Sequence, residues 1–266
     1  MITLLKGDCL EVMKTIKDNS IDAIITDPPY GTTVCKWDSV IDFDLMWEQL
    51  NRIIKPNGAI VLFGSEPFSS ALRMSNIKNY KYDWIWSKSN PANINCGNFQ
   101  PMKYHEIISV FYSKKGTFNK QMIERSKEGI KTIKNVKKNK TSFKPTFKDL
   151  NSKDSQTEYS SERYNTKLKN PSSLIFFNSV RPKSKEKVKH PTQKPVALME
   201  YLIKTYTNDL DYVLDFTMGS GSTMVACVST NRNGIGIEKE EKYFNIAKKR
   251  VEEKKEEKDN ETPTLF

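Results

Sequence analysis

The tetrad Asp27-Pro28-Pro29-Tyr30 follows an apolar run, Ala23-Ile24-Ile25, and precedes Gly31. Proline fixes φ and offers a carbonyl with no N–H, so Pro28 sets a rigid acceptor beside the Asp27 carboxylate. Two adjacent acceptors suit the two hydrogens of a planar exocyclic amine, and the Tyr30 ring supplies a face on which a nucleobase stacks. Such a grip draws the amine's lone pair out of conjugation and aims it at an electrophilic methyl group, a catalysis by positioning and polarisation. Taken alone, the same four residues also read as a turn.

A second constellation spans residues 212–238, YVLDFTMGSGSTMVACVSTNRNGIGIE. A strand ends at Asp215, a loop carries Gly219 and Gly221, a helix starts near Ser222, and a further strand ends in Glu238. Small residues let the backbone approach a ligand, a helix N-terminus offers unpaired N–H groups, and an acid at the next strand tip holds ribose hydroxyls. Met224, three residues after Gly221, is too bulky for a G-x-G-x-x-G pyrophosphate site, and no lysine follows Gly221 as a P-loop requires. A phosphate-free nucleoside cofactor such as S-adenosylmethionine suits a loop headed by Asp215, whose carboxylate would face a charged amino-acid group. A glycine pair by itself is an ordinary turn; acids on both adjacent tips argue for a pocket.

The elements that must hold these tips are short apolar runs at 2–5, 21–26, 59–64, 83–86, 107–112, 212–214 and 235–237, fit for strands buried on both faces. Helical patterns lie between them at 10–16, 44–54, 67–75, 196–207, 223–230 and 240–256. The alternation predicts an α/β fold, a doubly wound and mostly parallel sheet. It lapses between residues 113 and 189, where Lys, Asn, Ser and Thr dominate. The expected organisation is therefore one core made of residues 1–112 and 190–256, a basic module at 113–189, and a flexible tail at 257–266.

Of 266 residues, 43 are Lys or Arg and 32 Asp or Glu, a formal net charge of +11 that points to a polyanionic partner. Residues 113–170 hold 16 basic against 6 acidic side chains, and 181–189 hold 5 against 1, so the excess belongs to the insertion. A Lys-rich loop is also the composition of a merely solvated surface. Four scattered cysteines without a CxxC pair and two histidines assemble neither a disulfide framework nor a zinc site, so no metal is expected. Without a long apolar run or a basic, apolar leader, the expected location is the cytoplasm and no membrane partner is expected.

These motifs resemble the amino-group DNA methyltransferases, which use S-adenosylmethionine to methylate N6 of adenine or N4 of cytosine. Asp27–Tyr30 resembles their catalytic motif; Asp215-Phe216-Thr217-Met218-Gly219-Ser220-Gly221-Ser222-Thr223 resembles their cofactor loop. His190-Pro191-Thr192-Gln193-Lys194-Pro195 is similar to the segment preceding the cofactor strand, and Leu4–Leu10 to the one whose acid, here Asp8 beside Cys9, lies near the cofactor adenine. The order, catalytic motif before cofactor motif, resembles the circularly permuted β group, with a target-recognition region where the basic insertion lies. The resemblance implies a Rossmann-like methyltransferase fold that binds S-adenosylmethionine through Asp8, Cys9, Asp27, His190, Thr192, Lys194, Asp215, Phe216, Gly219, Ser220, Gly221, Thr223 and Glu238, and releases S-adenosylhomocysteine. It implies direct methyl transfer to a base flipped out of double-stranded DNA.

Asp at the first motif position favours adenine, since the cytosine-N4 members more often carry Ser there. RNA and protein-amide methyltransferases commonly carry Asn-Pro-Pro-Tyr after the cofactor motif, so residue and order both argue against them; an inactive DNA-binding homologue would show erosion at Asp27, Tyr30, Gly219 or Gly221. Trp37, in the loop after the catalytic tip, reads as a wedge or as a core anchor; Lys88, and Lys137 and Lys138 within the insertion, read as phosphate contacts. Cys35 reads as an incidental loop residue. His105-Glu106 reads as structural, and His190 as shaping the pocket rather than titrating. The resemblance leaves a homodimer and a cognate restriction enzyme as open partners in a bacterial or phage setting.

Overall fold

The computed structural model of the chain describes residues 1–32, 38–138, 142–143, 159–160 and 167–261. Its first stretch runs β1 (Ile2–Lys6), α1 (Cys9–Met13), β2 (Ile21–Thr26), α2 (Phe43–Ile53), β3 (Ile54–Gly64), α3 (Phe68–Ser75), β4 (Tyr80–Lys88) and β5 (His105–Phe111). Next come β6 (Ile123–Glu124), α4 (Lys127–Lys138), β7 (Ser142–Phe143), β8 (Tyr159–Ser160) and β9 (Leu168–Lys169). The chain closes with β10 (Leu174–Phe177), α5 (Val196–Tyr206), β11 (Tyr212–Asp215), α6 (Ser222–Ser229), β12 (Asn233–Glu238) and α7 (Glu241–Glu261). Residues Met1–Asn119 with Ser173–Phe266 form one compact unit and Lys120–Ser172 another.

The larger unit is built on an eight-stranded sheet in the order β1-β12-β11-β2-β3-β5-β4-β10. All neighbours are parallel except β3·β5 and β4·β5, so β5 alone runs against the rest. Ile24 and Ile25 point to opposite faces and both are fully buried, as a sheet covered on two sides requires. On one face Ile25, Val61, Phe63 and Val213 pack with α5, α6 and α7; on the other Ile24, Ile60, Leu62 and Leu214 pack with α2 and α3. Helix α2 starts where Asp42 accepts the Leu45 N–H at 3.0 Å, and buries Met46, Leu50 and Ile53 along one stripe. Leu50→Ala removes a fully buried side chain from this stripe and is expected to lower the unfolding free energy by about 2–5 kcal/mol. Urea denaturation reads it, and an unchanged midpoint would put α2 outside the cooperative core.

The topology brings the carboxyl ends of β1, β2, β11 and β12 to one edge. Strand β2 lies between β11 and β3, whose connections leave in opposite directions, a crevice where α/β sheets bind ligands. Because β5 is reversed, its first residues, His105 and Glu106, reach that same edge.

Three boundaries differ from the sequence reading. The second unit is narrower than 113–189: Phe118 stacks on Trp84 at 6.4 Å, and β10 joins the core sheet beside β4. Ile175 and Phe177 of β10 turn inward, Phe177 against Tyr201 at 5.7 Å, while Leu174 and Phe176 are exposed; polar sequence on both sides masked this edge strand. Helix α7 also runs through 257–261, where a flexible tail was expected. Ion pairs along its surface (Lys249–Glu253, Lys254–Glu257) and the bond from Lys258 Nζ to the Val228 carbonyl at 2.8 Å extend it.

The smaller unit pairs β6 with β9 and β7 with β8, both antiparallel. In α4, Ile130 and Ile133 share one side and Lys127, Lys131 and Lys134 lie off it, an amphipathic basic helix.

Candidate active site

The tip of β2 delivers Asp27 into a cleft of about 910 Å³ that also receives the tips of β11 and β12. Asp27 Oδ1 accepts the Tyr30 hydroxyl and Oδ2 the Lys194 ammonium. The backbone is braced as well: Thr217 Oγ1 donates to the Asp27 carbonyl at 3.1 Å, and the Tyr30, Gly31 and Thr32 N–H groups all donate to Asp38 at 2.8–3.0 Å. Gly31, at φ +68°, makes the bend that lets one carboxylate collect them. Tyr30 lays its ring against Phe68, centroids 5.0 Å apart.

Beneath Asp27 runs a row of alternating charges. Lys194 Nζ lies 3.4 Å from Glu106 Oε2, and Lys88 Nζ donates to Glu106 Oε1 at 2.8 Å. Burial pushes the Asp27 carboxyl up, the Lys194 charge pulls against it, and the Glu106 charge adds to the rise. For Glu106 burial works upward too, but Lys194 and Lys88 together hold its carboxyl below the usual range. Burial opposes the Lys194 charge, yet the two acids raise its pKa, so it stays an ammonium. Tyr30 is pushed well up by burial and by Asp27, so it remains a phenol and a donor.

On the cofactor side, Asp215 ends β11 with 4% of its surface exposed. Its oxygens accept Thr26 Oγ1 and Thr223 Oγ1, both at 2.5 Å, and the Thr217 N–H at 3.2 Å. Burial pushes its carboxyl up to about 6, against those hydrogen bonds. Asp215 thereby fastens the β2 tip and the start of α6 to the β11 tip while it lines the cleft. Gly219 sits at φ +51°, and a Cβ there would meet His190 Nε2 at 2.9 Å. Its N–H donates to Glu238 Oε2 at 2.9 Å, while Glu238 Oε1 accepts the Glu240 N–H at 2.7 Å. Gly221, the N-cap of α6 at φ +77°, does not line the cleft: a Cβ there would meet Ala247 of α7 at 2.8 Å, so its smallness serves helix packing.

Asp8, Cys9, His190, Thr192, Phe216, Ser220 and Thr223 line the cleft with the residues above. Asp8 also caps α1, accepting the Leu10 N–H at 3.0 Å. Burial lifts the Cys9 thiol to about 11, and burial together with nearby lysines and Arg250 lowers His190 to about 4, leaving it neutral at pH 7. The His190 ring meets Tyr243 edge-on at 4.4 Å. Arg250 reaches from α7 to the Ser220 carbonyl at 2.6 Å, bracing the glycine loop.

Two readings change. Lys88 is buried, with its ammonium on Glu106 and 5.7 Å from the Trp86 ring centroid, so it is not a surface phosphate contact. Glu106 belongs to the charged row of the cleft, not to a purely structural strand start; a lone acid opening an otherwise apolar strand was its sequence signal. Asp38 and Arg250 carried no such signal, because each binds backbone far away in sequence or around an irregular loop. Lys137 and Lys138 lie in α4, and Trp37 and Cys35 fall outside the described residues.

A glycine loop, an acid on the neighbouring tip and an Asp-Pro-Pro-Tyr tip in permuted order on this sheet define a Rossmann-like methyltransferase. Residues 21–249 match the family described as DNA methylase. The chain is 31% identical to the Type II methyltransferase M.HinfI of Haemophilus influenzae, across 94% of this chain and 68% of that one. It is 26% identical to the DNA adenine methyltransferase YhdJ of Escherichia coli strain K12, across 94% and 82%. The crystal structure of an M1.HpyAVI–SAM complex superposes with a TM-score of 0.62 at 31% identity, across 94% of this chain and 99% of that one. The chain belongs to the DNA methylase family.

Proposed function

We propose that the protein methylates N6 of an adenine flipped out of double-stranded DNA, at a specific site. The observation that carries this reading is the Asp27 carboxylate, braced by Tyr30 and Lys194, in the same cleft as the Gly219–Glu238 pocket. S-adenosylmethionine, when bound, supplies a methyl group on a sulfonium centre and leaves as S-adenosylhomocysteine. The residues fit it: Glu238 presents a carboxylate for ribose hydroxyls, Phe216 and Ile237 give apolar walls, and Gly219 keeps the loop clear of a side chain. Asp27 and Pro28 accept the amine hydrogens and turn the nitrogen lone pair out of the ring plane, and Tyr30 offers its ring to the base. After transfer the nitrogen returns to neutrality by shedding one proton to the water of the open cleft. Asp at position 27 and the likeness to a DNA adenine methyltransferase favour adenine over cytosine.

The basic unit is assigned to the phosphate backbone and to target recognition, with Lys137 and Lys138 among its contacts. A cognate restriction enzyme accords with the Type II relative. A homodimer and a place in the cytoplasm of a bacterium, or of a phage's host, follow from the family resemblance. Among the described residues no helix is long and apolar enough to cross a membrane.

Incubation with methyl-labelled S-adenosylmethionine and unmethylated genomic DNA, followed by nucleoside mass spectrometry, tests the assignment. N6-methyladenine is the expected product; N4-methylcytosine would keep the mechanism and change the base. Label absent from DNA while the cofactor still binds would overturn the DNA substrate. Gly219→Ala adds the left-handed backbone strain, about 1–2 kcal/mol, to the contact with His190, and is expected to weaken cofactor binding about tenfold. Calorimetry reads it, and unchanged affinity would remove Gly219 from the pocket.

A further inference from the structure

Both Asp27 oxygens already carry a donor, Tyr30 on one and Lys194 on the other. Each oxygen has two lone-pair directions and keeps one for an arriving amine, which then shares the carboxylate's charge with these donors. The Lys194 ammonium has somewhere else to go. Glu106 Oε2 is buried, accepts no hydrogen bond among the described residues, and lies 3.4 Å from Lys194 Nζ. Lys88 fixes the other Glu106 oxygen at 2.8 Å, and the Phe63 ring centroid lies 5.3 Å from Lys194 Nζ. At 3.4 Å this is a loose ion pair on a buried oxygen, and the ammonium tightens it by moving from Asp27 toward Glu106.

We propose that Lys194 and Glu106 are positioning residues for the target amine: Lys194 holds the Asp27 carboxylate aimed into the cleft, and Glu106 offers its ammonium a second seat as the amine arrives. The inference rests on the reading of Asp27 as the amine acceptor. It makes the segment before α5 part of the base site, not only of the cofactor site.

The charges facing Asp27 come from several elements: Lys194 before α5, Glu106 on β5 with Lys88 of β4 behind it, Tyr30 in the same turn with Asp38 beyond it, and Asp215 on β11. Methyl transfer needs Asp27 ionised, so the rate falls as pH drops through its pKa. Removing the Lys194 charge leaves burial and Glu106 opposed only by the Tyr30 hydrogen bond and moves this acid limb to higher pH. Removing the Glu106 charge moves it to lower pH, and also deprives Lys194 of its anionic second seat. A purely structural role moves neither limb.

The test compares Lys194→Met and Glu106→Gln with the parent under single-turnover conditions on unmethylated genomic DNA. Carbon-13 NMR of labelled aspartate in the DNA-free protein follows the Asp27 titration directly, assigned by its loss in Asp27→Asn. Lys194→Met is expected to slow transfer about 100-fold and Glu106→Gln about tenfold, with cofactor affinity within about threefold of the parent in Glu106→Gln. The acid limbs and the Asp27 titration are expected to shift in opposite directions, by about one pH unit for Lys194→Met. Limbs that stay in place, or move the same way, overturn the pairing. If Lys194→Met fails to fold, Glu106→Gln decides alone, and an acid limb at or above the parent's overturns the proposal. An active Asp27→Asn would instead sink the underlying reading, whereas an inactive one with unmoved limbs sinks only the pair.

Discussion

Asp27→Ala is expected to slow methyl transfer by about 10³-fold or more while cofactor affinity stays within about threefold. The carboxylate is supported from below by Lys194 and from the side by the Tyr30 hydroxyl. Alanine removes the group that holds the amine hydrogens, and with it the polarisation of the nitrogen. The cofactor pocket should survive, because its braces are independent of that side chain: Asp215 to Thr26 and Thr223, Glu238 to the Gly219 N–H, and Arg250 to Ser220. Single-turnover methylation and calorimetric cofactor binding separate the two effects. An active variant would remove the proposed mechanism, and lost cofactor binding would mean that Asp27 acts on the wrong half of the cleft.

The second large effect concerns salt. The basic excess is concentrated in residues 113–170, and α4 alone carries Lys127, Lys131, Lys134, Lys137 and Lys138. If such side chains neutralise six or more phosphates, raising salt from 50 to 200 mM should weaken DNA binding by about 10³-fold. Lys131→Glu with Lys134→Glu should weaken binding further and flatten the salt slope by about two. Fluorescence anisotropy on random-sequence duplexes reads both, because phosphate contacts do not depend on the recognition site. A salt-insensitive affinity would count against the basic unit as the DNA-contacting surface.

What the chain states locally could be read locally. Asp27, Pro28 and Tyr30 are adjacent, so the end of one strand places all three. Asp215, Gly219 and Glu238 belong to two strands joined by one short helix, and the alternation of buried strands and amphipathic helices declares the parallel sheet between them. Edge strand β10 stayed hidden because a four-residue apolar run between polar stretches carries no periodicity, and it acquires meaning only beside β4.

The sequence by itself determined which groups can do chemistry and at which strand tips they stand, because residue type and hydrophobic period are properties of short segments. Only the tertiary structure decided what those groups face. Lys194 meets Asp27 across 167 residues, and Glu106 and Lys88 arrive on neighbouring strands whose reversed order brings both to the same sheet edge. Gly221 packs on α7, and Asp215 holds two threonines while lining the cleft, because packing and hydrogen bonding are settled between elements distant in sequence. Charge balance in a buried cleft is a property of that assembly: each carboxylate's pKa depends on neighbours that no local pattern names.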